Sequence, residues 1–142
     1  MTTQLQTAPQ TMFAQGQIEG IDQPVIGAYF DALNDENYDA LVELFSEAGV
    51  LQPPFDDPLI GRQAIAHYLK AEALGMRAYP AKGALLETTE AGDRTYQIRG
   101  RVQLPLFSVN VAWQFRLNPE DEILAVTVDL LATLEELIQY RR

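Results

Sequence analysis

Residues Val102–Pro119 read VQLPLFSVNVAWQFRLNP, and between Phe107 and Leu117 large apolar residues alternate with small or polar ones. This period of two predicts a β-strand with one apolar and one polar face. The only tryptophan of the chain, Trp113, lies in the apolar row. A buried indole N–H prefers an acceptor, so Trp113 is either a partnered core residue or the polar group of an apolar pocket.

The segments around this strand predict a sheet of four strands. The other three are Ala84–Thr89, Arg94–Leu104 and Glu122–Ala132. Gly100 falls on the apolar face of its strand, where a missing side chain predicts a bulge or bend. The run Asn118-Pro119-Glu120-Asp121 predicts the turn into the last strand.

Upstream of the strands, apolar residues recur at helical spacing. This pattern predicts one helix over Ile21–Leu33, a second from Tyr38 through Phe45 that ends at Gly49, and a third between Gly61 and Gly75. Residues 53–58 contain three prolines and should be irregular. A T-x-x-E capping box at Thr133 and Glu136 predicts a terminal helix.

This order of elements predicts an α+β fold in which a cone-shaped, bent, mostly antiparallel sheet packs on about three N-terminal helices. Residues 1–17 are rich in Gln and Thr and should form a flexible arm. Residues 18–142 should form a single domain, because the length suits one core.

Composition excludes several classes of function. The 142 residues contain no cysteine and one histidine, so thiol chemistry, thiolate metal sites and a metal site built from clustered histidines are ruled out. No signal peptide or membrane-spanning segment is recognisable, and a cytoplasmic location is expected. The formal charge of −10 comes from residues 1–58, which hold no Lys or Arg, and it argues against nucleic acid as a partner. This acidic surface is either a solvated face or a docking surface for a basic partner.

Residues for catalysis are scarce. His67 lies one position off the apolar stripe of the third helix and should be at the surface. Asp129, within the apolar run VTVDLLA, is either a general base with a raised pKa or a partner of Arg99, Arg101 or Arg116 on the outer face of the sheet. The first alternative predicts a small cone-fold isomerase, cyclase or hydrolase.

A second constellation pairs Tyr29 on the first helix with Trp113 on the third strand. Both should point into the space between the helices and the concave face of the sheet. An O–H and an N–H in a pocket lined by residues such as Leu33, Val111 and Phe115 suit a long apolar ligand with one carbonyl at its tip. The alternative is that both are ordinary core aromatics.

The sequence resembles the C-terminal-domain homologues of the orange carotenoid protein family, within the nuclear-transport-factor-two-like superfamily. The resemblance runs from about Ile18 to Arg142 and rests on five segments. They are IEGIDQPVIGAYFDALN, LVELFSEAGVLQPPFDDPLIGR, GRVQLPLF, VNVAWQFRLNPEDEI and VDLLATLEELI.

The resemblance implies a ligand and a site. A ketocarotenoid (canthaxanthin, echinenone or 3'-hydroxyechinenone) would accept hydrogen bonds at its keto oxygen from Tyr29 and Trp113. Leu33, Phe115 and Val128 would form walls of the pocket. No catalytic residue and no metal are implied.

The resemblance also implies partners and roles. These are a homodimer that shares one carotenoid, a helical carotenoid-binding domain protein as donor or acceptor, and transient membrane contact, with a location that extends to the thylakoid surface. Carotenoid transfer, photoprotection and singlet oxygen quenching would be its roles. Glu72 matches a glutamate that pairs with the family's helical N-terminal domain, which has no counterpart here. Two departures are Leu106 in place of an aromatic rim residue and Ala73 in place of a cysteine, which puts redox control in doubt.

Overall fold

A computed structural model of the chain describes residues 17–131. The helices are α1 (Pro24–Asn34), α2 (Tyr38–Val42) and α3 (Arg62–Glu72). The strands are β1 (Phe45–Gln52), β2 (Leu59–Ile60), β3 (Arg77–Thr88), β4 (Arg94–Gln103), β5 (Ser108–Leu117) and β6 (Ile123–Leu130). Residues 1–16 of the predicted arm and the helix predicted from Thr133 lie outside the described residues.

The six strands form one sheet in the order β2-β1-β6-β5-β4-β3. All neighbours run antiparallel except β1 and β6, which are parallel. The predicted α+β fold with a mostly antiparallel sheet is therefore confirmed. The strand read from the alternating stretch, β5, lies inside the sheet, where Trp113 pairs with Ile98 on one side and Val128 on the other.

The second helix is shorter than the sequence pattern predicts. α2 ends at Val42, and Phe45, expected in its apolar stripe, instead begins β1. Gly49 does not end a helix; it lies within β1, where an added Cβ would be 2.7 Å from the Phe45 ring. The pairing of β1 with β6 also shifts register between Phe45 and Val50, which hides the alternation that would have revealed the strand.

The first of the predicted strands starts earlier than expected, at Arg77 rather than Ala84. Pro80 is tolerated inside it because β3 is the last strand of the sheet and can lack one donor. Opposite Gly100 the register shifts between Pro80 and Lys82, so the irregularity predicted at Gly100 is confirmed. A Cβ on Gly100 would lie 2.3 Å from the Tyr79 carbonyl oxygen, which explains the glycine.

The helices cover one face of the sheet and create the core between the two layers. α1 begins with Pro24 at its first turn, and its last residue is fastened to β3. There the Asn34 side chain donates to the Ala78 carbonyl (2.8 Å) and accepts from the Ala78 amide (2.7 Å). This attachment holds the buried face of α1 against the sheet. None of the helices within residues 17–131 is long and apolar enough to cross a membrane.

Candidate functional site

A cavity of about 560 Å³ lies between the helices and the inner face of the sheet. Its wall is made by α1, α3, the four strands β1, β4, β5 and β6, and the loop that follows β1. Nearly all lining side chains are aliphatic or aromatic. Hydroxyl, indole or carboxylate groups enter the lining from four residues, Tyr29, Tyr68, Glu72 and Trp113. The cavity therefore suits an apolar ligand with very few polar atoms.

The two predicted donors, Tyr29 and Trp113, line this cavity together. Each is 2% exposed. Both rings contact Phe30 edge to face, with centroid distances of 5.3 Å for Tyr29 and 4.7 Å for Trp113. Aromatic pairs of this geometry hold ring positions well, so α1 and β5 fix both polar groups in place.

The hydrogen-bonding capacity of these two residues is unused within residues 17–131. Neither the Tyr29 hydroxyl nor the Trp113 indole N–H has a partner there. Over the same range, the one fully enclosed side-chain polar atom without a partner belongs to Tyr38. Tyr29 and Trp113 both line the cavity and are almost inaccessible from outside, so we infer that their polar atoms face it.

The protonation state of Tyr29 suits a donor. Burial raises the pKa of this phenol above its ordinary value, because the charged phenolate would lose its hydration. Tyr29 therefore keeps its O–H throughout the physiological range. An N–H and an O–H aimed into one apolar cavity can bind a single carbonyl oxygen, which has two lone pairs to accept them.

Two of the three predicted wall residues line the cavity, and one does not. Leu33 lies one helical turn beyond Tyr29, and Val128 pairs with Trp113 across β5 and β6. Phe115 is fully buried behind the cavity, with its ring centroid 5.0 Å from that of Tyr29. The alternation of β5 correctly gave Phe115 the same face as Trp113, but α1 packs directly on that end of the strand and leaves no space.

The cavity opens at the end of β5 that is distant from Phe115. Along the inner face, the exposed fraction rises from 2% at Trp113 and 8% at Val109 to 38% at Phe107. Across the opening, Phe55 is 80% exposed although it borders the cavity. Leu106, the residue that replaces an aromatic rim residue, is 91% exposed beside this opening. The site is thus a pocket with two donors at its inner end and an apolar mouth.

Sequence reasoning missed part of the lining. Pro53, Pro54 and Phe55 belong to the segment that the sequence marked only as irregular, and Met76 follows α3. No pattern in the chain indicated that these residues approach the cavity. The apolar stripe of the third helix did provide a signal for Tyr68, which lines the wall from α3.

The residues considered for catalysis lie elsewhere. Asp129 is exposed and pairs with Ala112 on the outer face of the sheet, so it cannot act as a base in the cavity. It forms no ion pair within residues 17–131, and Arg116 instead contacts Asp93 at 3.0 Å. His67 is exposed, as predicted. Glu72 lines the cavity from the last turn of α3.

No protein-family model matches the chain. Two relatives from the orange carotenoid protein group are similar to the chain, one compared by sequence and one by structure. The orange carotenoid-binding protein of Synechocystis sp. is 37% identical over 129 residues, which make up 88% of this chain and 40% of that protein. The structure of the Anabaena (Nostoc) sp. orange carotenoid protein binding canthaxanthin superimposes with a TM-score of 0.79 at 37% identity, over 88% of this chain and 41% of that one.

A more distant structure shows the fold alone. A putative polyketide cyclase from Sinorhizobium meliloti is 21% identical, with a TM-score of 0.61, over 75% of this chain and 94% of its own. The chain thus spans about two-fifths of the length of its orange carotenoid protein relatives. Over 88% of its length the chain is homologous to the orange carotenoid protein, and it shares the fold of the matching part of that protein.

Proposed function

We propose that this chain binds a ketocarotenoid by one end, with Tyr29 and Trp113 donating hydrogen bonds to the keto oxygen. The observation that carries the proposal is a pair of donors that have no partner among residues 17–131, at the inner end of an otherwise apolar cavity. A group left without an acceptor in such surroundings costs free energy that a bound carbonyl would recover. The Anabaena relative, whose structure binds canthaxanthin, supports this choice of ligand.

The chemistry of the walls agrees with a polyene. From Trp113 outward, the cavity is lined by Val111 and Val109 of β5 and by Phe107 just before the strand, none of which carries a polar side-chain atom. Canthaxanthin, echinenone and 3'-hydroxyechinenone share a keto group on one ring and a long hydrocarbon chain. The proposed site distinguishes these from purely hydrocarbon carotenoids, because a carbonyl oxygen can accept from both donors and a hydrocarbon ring can accept from neither.

The length of the cavity predicts that the ligand is shared. Phe107 and Trp113 are six residues apart, which at a rise of ~3.3 Å per residue gives a depth of about 20 Å. A pigment that spans a membrane is on the order of 30 Å long. About 10 Å of the pigment would therefore remain outside the cavity. Exposure of roughly 200 Å² of its apolar surface to water would cost about 5 kcal/mol of free energy.

A second protein surface should therefore cover the exposed end. We propose that this is a second copy in a homodimer that holds one carotenoid, or a helical carotenoid-binding domain that gives or receives the pigment. Transient contact with a membrane would load the pigment, and the net charge of −10 means that anionic lipid would not retain the protein. As a carrier, the protein would contribute to photoprotection through the quenching of singlet oxygen by its ligand.

The test is expression of the chain in cells that make canthaxanthin, followed by purification and an absorption spectrum. We expect a coloured protein with about one pigment per two chains and a mass that corresponds to two copies. A parallel preparation from cells that make only β-carotene, which lacks keto groups, is the control and should bind far less. A colourless protein from the canthaxanthin-producing cells would contradict the proposal.

A further inference from the structure

The loop at residues 53–58, here called the mouth loop, forms one side of the cavity opening. Pro53, Pro54 and Phe55 border the cavity. Phe55 is 80% exposed, so its own packing contributes little to holding the loop in place. Proline fixes φ at three positions, which makes the loop stiff enough to move as a unit. Pro53 is buried at the start of the loop, whereas residues 54–58 are exposed and depend on hydrogen bonds to the neighbouring elements.

Hydrogen bonds at Asp56 provide that attachment. The Tyr68 hydroxyl on α3 donates to Asp56 Oδ2 at 2.9 Å. From β1, Gln52 Nε2 donates to the Asp56 carbonyl at 2.9 Å and to the Pro53 carbonyl at 2.8 Å. The bond from Gln52 ties the loop to the strand that leads into it. Of these three bonds, only the one from Tyr68 joins the loop to the opposite wall of the cavity.

Tyr68 is suited to this contact. It lines the cavity from α3 while its hydroxyl reaches the loop. Burial and the hydrogen bond to Asp56 raise its pKa to about 12, so it remains a donor at physiological pH. Asp57, the next residue of the loop, is also exposed but makes no hydrogen bond or ion pair within residues 17–131.

We propose that Asp56 and Tyr68 are positioning residues whose hydrogen bond holds the mouth loop against α3 and slows the exchange of ligand. This inference rests on the proposed function for the identity of the ligand. The hydrogen bond between Asp56 and Tyr68 lies at the mouth of the cavity, away from the donor pair at the inner end. Loss of the bond should therefore change how fast a ligand enters and leaves while the contacts to its keto oxygen stay the same.

The first experiment needs no ligand. Trp113 is the only tryptophan, so quenching of its fluorescence by acrylamide reports access to the cavity. We expect the quenching constant to rise about two- to threefold in Tyr68→Phe and in Asp56→Ala. Tyr79→Phe, on the outer face of the sheet, and Asp57→Ala, in the same loop, are the matched controls and should behave like the unmodified protein. Equal quenching in all five proteins would overturn the proposal.

The second experiment measures release of canthaxanthin from the pigment-bound protein to phosphatidylcholine vesicles. Tyr68→Phe and Asp56→Ala should each release pigment about three- to tenfold faster, as expected for one hydrogen bond to an exposed carboxylate. The double variant should be no faster than either single one, because both changes remove the same bond. The absorption maximum should not move.

The outcomes separate the two proposals. A lowered melting temperature with unchanged quenching and release would mean that the bond only stabilises the fold, and would overturn the positioning role. A chain that never takes up canthaxanthin would contradict the proposed function, and the quenching experiment would then decide alone whether the bond closes the mouth.

Discussion

Replacement of Tyr29 by Phe provides the most direct test of the proposed site. The change removes one hydroxyl and keeps the ring, so the edge-to-face contacts of Tyr29 with Phe30 (5.3 Å) and Phe115 (5.0 Å) should survive. Because the hydroxyl has no partner within residues 17–131, its loss should change the free energy of unfolding of the empty protein by less than about 1 kcal/mol.

The cost should appear only when the pigment is bound. Among the cavity-lining side chains, the Tyr68 hydroxyl is already bonded to Asp56 and Glu72 lies at the end of α3, so neither can replace the lost donor. Loss of one donor to a carbonyl in such a cavity costs about 1 to 2 kcal/mol, or roughly five- to thirtyfold in affinity. Removal of both donors, in Tyr29→Phe with Trp113→Phe, should weaken binding on the order of a hundredfold.

The assay is equilibrium titration of the empty protein with canthaxanthin, with the absorption maximum recorded at saturation. A weaker hydrogen bond to the keto oxygen should shift the maximum to shorter wavelength. Tyr38→Phe is the matched control, since it also removes a buried hydroxyl without a described partner, but outside the cavity lining. Wild-type affinity and spectrum in both Tyr29→Phe and Trp113→Phe would refute the reasoning.

Three further outcomes are expected. Asp129→Asn should leave pigment binding unchanged, because this carboxylate lies on the outer face. A loss of binding would contradict that reasoning, and a turnover that the change abolishes would favour the enzyme alternative. Gly100→Val should lower the free energy of unfolding in urea by about 1 to 3 kcal/mol, because its Cβ would collide with the Tyr79 carbonyl, and an unchanged midpoint would argue against that. The raised pKa of Tyr29 means that the fold favours the protonated phenol. The absorption spectrum of the pigment-bound protein should therefore be constant between about pH 6 and pH 9. Any loss of folding stability from this phenol should begin only above about pH 10. A change of the absorption spectrum within that pH range that is absent in Tyr29→Phe would contradict this expectation.

The sequence predicted the parts of the fold whose side-chain period is regular. β5 pairs on both sides and keeps strict alternation, so its face and its pairing with β4 and β6 could be expected from the chain alone. α1 shows a clear apolar stripe, which placed Tyr29 towards the sheet. These two elements hold the candidate donors, so the regular periods of α1 and β5 are sufficient to predict the pair from the sequence.

The remaining elements depend on contacts that do not appear as a periodic pattern of apolar residues in the sequence. β1 has a register shift after Phe45, and its Gly49 is required by a close ring rather than by a helix end. The approach of the mouth loop to the cavity follows from hydrogen bonds to Asp56, which join residues from three separate segments. Phe115 shows a further limit: alternation assigns a residue to a face but not to a depth, and the packing of α1 decides which positions border empty space.

Both candidate donors, which have no partner in the described part of the chain, lie at the inner end, and this gives the site a direction. If the proposed donors bind the keto oxygen, a pigment with one keto ring would enter with that ring first and leave with it last. Any recipient would therefore meet the unmodified terminus first. An unsymmetrical pigment would arrive in its new host reversed relative to how it was carried, so the orientation of delivery is encoded in a phenol and an indole placed far from the exit.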